Sequence, residues 1–323
     1  MQDKYKELLI AFVLVLICPA VIMHLYTERM PIEINENTEF VEISSATFAP
    51  DEGKTINILS NNGEIINMAL DEYLVAVLLC EMPISFDEEA LKAQAVVART
   101  YTLRRLEHVS KHPVAPVCVD SGCCQGYLSP ETYCARGGTI EDVEKARKAV
   151  LDTAGKVLVY NNELIDATYF SCSGGMTEDA LAVWGADIPY LQSKASPGEE
   201  NAQHYVDTKY VSVDEFMTSL KLENNDSIIK IGKIEYTAGG GIATITIGGK
   251  VFEGVEIRQM LGLGSTAFEI KILGNQVEIT TKGFGHRVGM SQYGAEAMAV
   301  QGKTYEDILL YYYEGVEIKT DCD

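Results

Sequence analysis

The sequence predicts an α+β chain: an N-terminal transmembrane helix, then a mixed helix/sheet extracytoplasmic domain with a groove and a smaller β-rich lobe. Three observations predict it. An unbroken apolar run occupies Leu8 to Tyr26, interrupted only by His24. Helical periodicity then fills most of 70–106 and 139–153, with turn-marked hairpins beside it. From 207 to 282 the pattern changes to short β runs around Gly clusters, such as Ile242-Ala243-Thr244-Ile245-Thr246-Ile247.

The apolar run is long enough to cross a hydrocarbon core of roughly 30 Å. Lys4 and Lys6 precede it and Glu28, Glu33, Glu36 and Glu39 follow. The positive-inside bias therefore makes 1–7 a cytoplasmic tail, 8–26 the span and 27–50 an external stalk. A cleaved signal peptide is the alternative, and the absence of a small-x-small site after Met23 weighs against it.

A hairpin follows, with 56–59 and 64–67 flanking the turn Asn61-Asn62-Gly63. Leu70, Leu74, Val77 and Leu78 form one stripe of a helix that Pro83 stops. Ser85 and Glu88 read as a capping box for a second helix reaching about Leu106, whose alanines permit close packing. Residues 107–138 form a loop dense in Cys, Pro and Gly, and a helix over 139–153 precedes a second hairpin turned at Asn161-Asn162. The domain division is thus a core over 51–206 containing the 107–138 loop, a β-rich subdomain over 207–282, and a groove segment with a helix over 283–323.

The formal charge of −21 repels nucleic acid, and no Lys/Arg-rich patch interrupts it, so a nucleic-acid partner is excluded. Chemistry has three candidate places. Glu81 ends a helix among Cys80, Met82, Pro83 and Ile84, where apolar surroundings and the negative helix end both favour its protonated form. Such a carboxyl suits protonation of a glycosidic oxygen, although an exposed helix-end glutamate fits the same residues. His112, Cys118, Cys123 and Cys124 are the ligand types of a closed structural zinc site, with Cys134 or His108 as substitutes and a disulfide as the alternative. The Gly283–Tyr293 loop carries His286, Gln292 and Tyr293 in a backbone flexible enough to approach a ligand, and Ser171 lies in a similar Gly-flanked turn. Cys172 reads as a small buried thiol, with a nucleophilic role as the alternative.

The strings EYLVAVLLCEMPISFDEEALKAQAVVARTYTL, YFSCSGGMT, VWGADIPYL and GHRVGMSQYGAEAMAVQGKTYEDILLYYYEGV occur in that order. Together they resemble the stage II sporulation protein D (SpoIID) family over about 55–318, outside the less distinctive β-rich part. The resemblance implies a lytic transglycosylase that cuts the MurNAc–GlcNAc bond of peptidoglycan to 1,6-anhydro products during engulfment, with no cofactor needed for the chemistry. It makes Glu81 the catalytic acid and then base, gives Arg99 an orienting or charge-stabilising role, and maps Tyr190 onto the family's P-Y-L tyrosine. Ser171, Tyr190, His286, Gln292 and Tyr293 become candidates for holding substrate. It also implies zinc on His112, Cys118 and Cys124, with Cys123 where relatives have histidine, and it places Arg287 where relatives have glycine. Expected partners are glycan strands, an amidase resembling stage II sporulation protein P and a membrane engulfment protein. The expected location is the mother-cell membrane, with the domain facing the forespore. Two other functions compete: a non-catalytic wall-binding scaffold that stimulates an amidase, and a cysteine hydrolase using Cys172 with His204 or His286.

Overall fold

The computed structural model describes residues 51, 53–108, 111–222 and 229–320. The first hairpin pairs β1 (Thr55–Leu59) with β2 (Ile65–Ala69), and β3 (Val117–Cys118) adds to β1 in parallel. Helix α1 (Leu70–Glu81) follows without a break, because the Leu70 N–H is already bonded to the Lys54 carbonyl. Helix α2 (Glu88–Glu107) is capped by Asp87, whose carboxylate accepts from the Glu89 N–H. The expected cap at Ser85 gives way because the Phe86 N–H closes a turn onto the Pro83 carbonyl, which keeps 83–86 out of the helix.

Helix α2 is the axis of the main core. From Ala90 to Leu103 nearly every residue is buried, so its small side chains are in contact all round. Around it lie α1, the short α3 (Pro130–Ala135), α4 (Ile140–Asp152), α8 (Gln292–Val300) and α9 (Tyr305–Tyr312). Thr139 and Asp142 close a full capping box on α4. Strand β4 (Lys156–Tyr160) pairs with β5 (Glu163–Leu164) through Asn161 and Asn162, both at positive φ as a type I′ turn requires. On its other side β4 pairs with the C-terminal β14 (Glu317–Thr320), which the sequence pattern does not announce.

A second hydrophobic core gathers residues from Val211 to Ile279. Two three-stranded sheets build it. One orders β11 (Phe268–Leu273), β12 (Gln276–Lys282) and β7 (Val206–Ser212). The other orders β10 (Lys250–Glu253), β9 (Ile242–Ile247) and β8 (Ile231–Tyr236). Helices α6 (Val213–Ser219) and α7 (Gly254–Leu261) supply Phe216, Ile257 and Leu261 to it.

The transmembrane helix expected over 8–26, with its flanking tail and stalk, lies outside the described residues. Among the described residues no helix is long and apolar enough to cross a membrane. The longest, α2, carries charges at Glu88, Glu89, Lys92, Arg99, Arg104, Arg105 and Glu107. The fold class stated from the sequence is corrected accordingly: the α+β domain stands, and a membrane-spanning helix has no support.

Arg99 also departs from expectation. Its guanidinium is fully buried, pairs with Asp51 at 3.0 Å, and donates to the Val150 carbonyl at 3.0 Å. Those partners tie α2 to the end of α4 and to the chain entering β1, so Arg99 is a core clamp rather than a neighbour orienting Glu81. Beside it, burial and the Asp51 carboxylate push the Asp71 pKa up to about 6. Removing the cation would strand two carboxyl groups in the core. Arg99→Ala should therefore cost about 3–5 kcal/mol, read as a lowered urea midpoint, because a broken buried pair leaves an uncompensated charge.

Candidate active site

Glu81 ends α1, and three separate segments hold it. The Gly126 N–H donates to Glu81 Oε1. The Tyr169 hydroxyl lies within hydrogen-bonding reach of the same carboxyl and of Gln125 Oε1, the latter at 3.3 Å. Gln292 Nε2 donates to the Glu81 backbone carbonyl at 3.0 Å. Burial drives the Glu81 pKa upward, and the bonds from Gly126 and Tyr169 oppose that only in part. The carboxyl thus keeps its proton to higher pH than an exposed glutamate does. A Cβ at 126 would lie 2.7 Å from Cys80 Sγ and 2.8 Å from Glu81 Oε1, so any larger residue there would displace the Glu81 carboxyl.

Gly126 and Gln125 directly follow the Cys/His cluster. His112, Cys118, Cys123 and Cys124 bring one ligand atom each to within 4.8 Å of one another. His112 Nε2 stands 3.5 Å from both Cys123 Sγ and Cys124 Sγ. Tetrahedral coordination with metal–sulfur and metal–nitrogen bonds of about 2.3 and 2.0 Å puts nitrogen and sulfur about 3.5 Å apart, so the donor set fits a metal ion. Cys80, Cys118, Cys123, Cys124, Cys134 and Cys172 are all free thiols, which leaves the disulfide alternative without a bond among the described residues. Clamping this loop also fixes Gln125, whose amide donates to Thr102 Oγ1 at 2.9 Å and to the Tyr73 hydroxyl at 3.3 Å.

Tyr169 lies on β6 (Tyr169–Phe170), which pairs in parallel with β13 (Met290–Ser291). That short pairing brings the 171–175 turn beside the 283–293 loop, whose Gln292 reaches Glu81. Tyr169 also lines a cavity of about 480 Å³, together with Arg105, Lys111, Asp166, Trp184 and His286. Two cations on one cavity stand out in a chain of charge −21. Arg105 lies over the Tyr101 ring, and Lys111 Nζ donates to the Cys123 carbonyl. Asp166 is committed to Arg104 at 3.1 Å and Arg105 at 3.5 Å. Among the loop carboxylates Asp120, Glu178, Asp179 and Asp187, none of which the sequence favours as a second catalytic group, Asp179 caps α5 (Ala180–Trp184) and Asp187 is exposed. Asp120 holds the Gly122 N–H, and Glu178 is buried against Arg287.

Of the five residues expected to hold substrate, His286 reaches the cavity. Its ring packs between Phe170 and Trp184, and Nδ1 accepts from the Val288 N–H at 3.1 Å. Burial lowers its pKa to about 4, so it is neutral at physiological pH. The other four have different tasks. Gln292 is buried and joins Glu81 to Gln94. The buried Tyr190 hydroxyl accepts from the Asp166 N–H at 3.0 Å, behind the cavity wall. Tyr293 packs edge-on against Phe86, and Ser171 accepts the Tyr293 N–H through its backbone carbonyl. Tyr169, Gln125, Gly126 and Trp184 were not singled out as site residues in the sequence. The adjacency of Cys-Cys-Gln-Gly was the one available signal for the middle pair.

Cys172 is fully buried and donates to Glu199 Oε2 at 3.1 Å. Burial and that carboxylate push its pKa up to about 12, which removes the thiolate a nucleophile needs. His204 pairs with Asp207 and stacks on Phe284, and His286 is engaged elsewhere, so neither serves Cys172 as a base.

Arg287 has φ of 64°, a conformation natural to the glycine of the resembling family. Its guanidinium offsets the strain by donating to the Ser173, Met176 and Gly239 carbonyls at 2.7–2.8 Å and by pairing with Glu178 Oε1 at 3.3 Å. Glu178 Oε1 in turn accepts from the Gly241 N–H and Thr237 Oγ1. This buried knot joins the main core to the β-rich lobe.

Known proteins bear on this geometry. The SpoIID family model, described as stage II sporulation protein, matches residues 60–160, the stretch that holds Glu81 and all four sulfur and imidazole donors. The chain is 42% identical over 263 residues to stage II sporulation protein D of Bacillus subtilis (strain 168), covering 80% of this chain and 76% of that protein. The counterpart from Bacillus amyloliquefaciens is 42% identical over 265 residues, with the same two shares. An amidase enhancer of Bacillus subtilis (strain 168) is 30% identical over 302 residues, 76% of this chain but 40% of that protein. Identity of this extent, running through the segments that surround Glu81, means that the chain belongs to the stage II sporulation protein D family.

Proposed function

We propose that the chain is a lytic transglycosylase of sporulation, cleaving the MurNAc–GlcNAc bond of peptidoglycan glycan strands at the wall between mother cell and forespore. The observation that carries this is Glu81: a carboxyl whose pKa burial raises, held next to Tyr169, which itself lines the cavity, with Asp166 and Glu178 each paired to arginine. An ordinary glycoside hydrolase needs a second available carboxylate. A transglycosylase needs one. Glu81 gives its proton to the glycosidic oxygen as the C1–O bond breaks. The resulting carboxylate then takes the proton of the muramyl C6 hydroxyl, whose oxygen closes on C1. The acid is regenerated, and the product is a 1,6-anhydro sugar. Arg105 and Lys111 suit the carboxylate that muramic acid carries.

The metal in the 112–124 loop is proposed to be zinc, in a purely structural role. Three thiolates and one imidazole match a closed site, and the chemistry of the cut needs no electrophile there. A cell-wall amidase that strips peptides beforehand and a membrane engulfment protein are the proposed partners. Likeness to an amidase enhancer favours one second reading, in which the chain chiefly stimulates such an amidase.

Glu81→Gln should lower release of anhydro-muropeptides from purified glycan strands by about 10²–10⁴-fold, read by mass spectrometry. Undiminished digestion by that variant, with amidase stimulation retained, would establish the scaffold reading instead. Reducing-end muramic acid from the unaltered protein would refute the transglycosylase.

Because the acid must start protonated and its pKa is raised, kcat/KM should fall only as pH rises through a value above the ordinary carboxylate range. An alkaline limb at or below the usual glutamate pKa would contradict a buried acid.

Elemental analysis should find about one zinc per chain, and Cys118→Ser should lose it. Chelation should lower the thermal midpoint of the unaltered protein and leave that of Cys118→Ser unmoved.

A further inference from the structure

A second cavity, of about 630 Å³, lies between the main core and the β-rich lobe. Its walls combine Leu181, Val183 and Trp184 of α5 with Ile242, Ala243 and Thr244 of β9. One side chain, Trp184, borders both this cavity and the one beside Tyr169. The indole is exposed, as is Leu181, although α5 has a packed core beneath it through Ala180. Two large apolar side chains left in water at the rim of a cavity are the usual mark of a ligand face.

The floor is built on a buried carboxyl, with polar groups around it. Glu178 is fully buried there, and its Oε1 takes Arg287, Thr237 and the Gly241 N–H. Its Oε2 has no hydrogen-bond partner. That oxygen has no surface open to the cavity, so the polar groups within a ligand's reach are the Glu253 carboxylate and the threonines. Thr237, Thr244 and Thr266 add hydroxyls to the same lining.

We infer that this cavity is a distal subsite for a pyranose ring of the glycan strand, with Trp184 as the platform on which the chain passes from one cavity to the other. A pyranose presents an apolar C–H face suited to an indole, and a rim of hydroxyls and an acetamido group suited to threonines and a carboxylate. An acidic stem peptide fits less well, because no Lys or Arg is on this lining. The inference rests on the glycan reading of the first cavity and extends it. The lobe is then part of the substrate groove, and the Arg287–Glu178 knot sets the distance between the two sugar sites.

The test uses the whole chain in a Glu81→Gln background, titrated by calorimetry with β-1,4-linked N-acetylglucosamine oligomers from disaccharide to hexasaccharide. Affinity should rise with length until both cavities are filled. Ala243→Tyr narrows the second cavity from the lobe side, and should weaken the hexasaccharide about tenfold more than the disaccharide. Trp184→Ala should flatten the dependence on length in the same way. Thermal unfolding of each variant checks that the lobe is intact, and Ala243→Leu, which fills less of the cavity, serves where Ala243→Tyr does not fold. Equal weakening of short and long oligomers, or none, would overturn the subsite while leaving cleavage at Glu81 untouched. Selective loss of affinity for a free stem peptide would overturn it in favour of a peptide site. Failure of the parent protein to bind any oligomer would overturn the glycan reading of the first cavity, and the subsite with it.

Discussion

The end of helix α1 is the point on which the site depends. A carboxyl that must carry a proton and then take one back needs a position that is dry, fixed and still reachable. The chain meets these needs by bringing together groups from residues 125–126, 169 and 292 around Glu81. The Gly126 N–H sets the side-chain oxygen and the Gln292 amide sets the backbone carbonyl, while the Tyr169 hydroxyl donates to Gln125 beside them. Burial supplies the upward pressure on the pKa, while the Gly126 N–H keeps the carboxyl from swinging away. No single neighbour would serve, because the two effects have opposite signs and come from different segments.

The Cys/His loop gains its significance from this arrangement. Its four donors converge tightly, and the next two residues in the chain are the ones that touch Glu81 and Tyr169. A metal there would fold a segment with little regular structure of its own, and rigidity would pass through two peptide units to the acid. Distance from the chemistry is therefore no measure of influence on it. The same holds for Gln292 and Tyr190, which act on Glu81 and on Asp166 through backbone groups.

Two buried ion pairs organise what lies behind the site. Arg99 with Asp51 locks α2 to α4 and to the start of the first hairpin. Arg287 with Glu178 binds the 283–293 loop to the lobe. Both arginines stand in segments whose motifs drew a catalytic reading. Full burial with carbonyl acceptors on several sides accounts equally well for why each segment needs the residue it has.

By itself the sequence determined many of the local elements and singled out Glu81 as the candidate acid. Periodicity and Asn-rich turns located α1, α4 and both hairpins, because each of those signals acts within a few residues. Four ordered motif blocks marked Glu81, and the ligand types of His112, Cys118, Cys123 and Cys124 marked a candidate metal loop. Tertiary structure alone decided which side chains share the site. Tyr169 comes beside Glu81 through the pairing of β6 with β13, which joins Tyr169 to Met290, and Trp184 shares a cavity with the lobe that Arg287 also contacts. It also decided that Arg99 belongs to the core and that the hydroxyl of Tyr190 faces a backbone amide. A residue's type shows what bonds it can make. Which of them it makes is set by partners far away in the chain, and those distances close only when the cores pack.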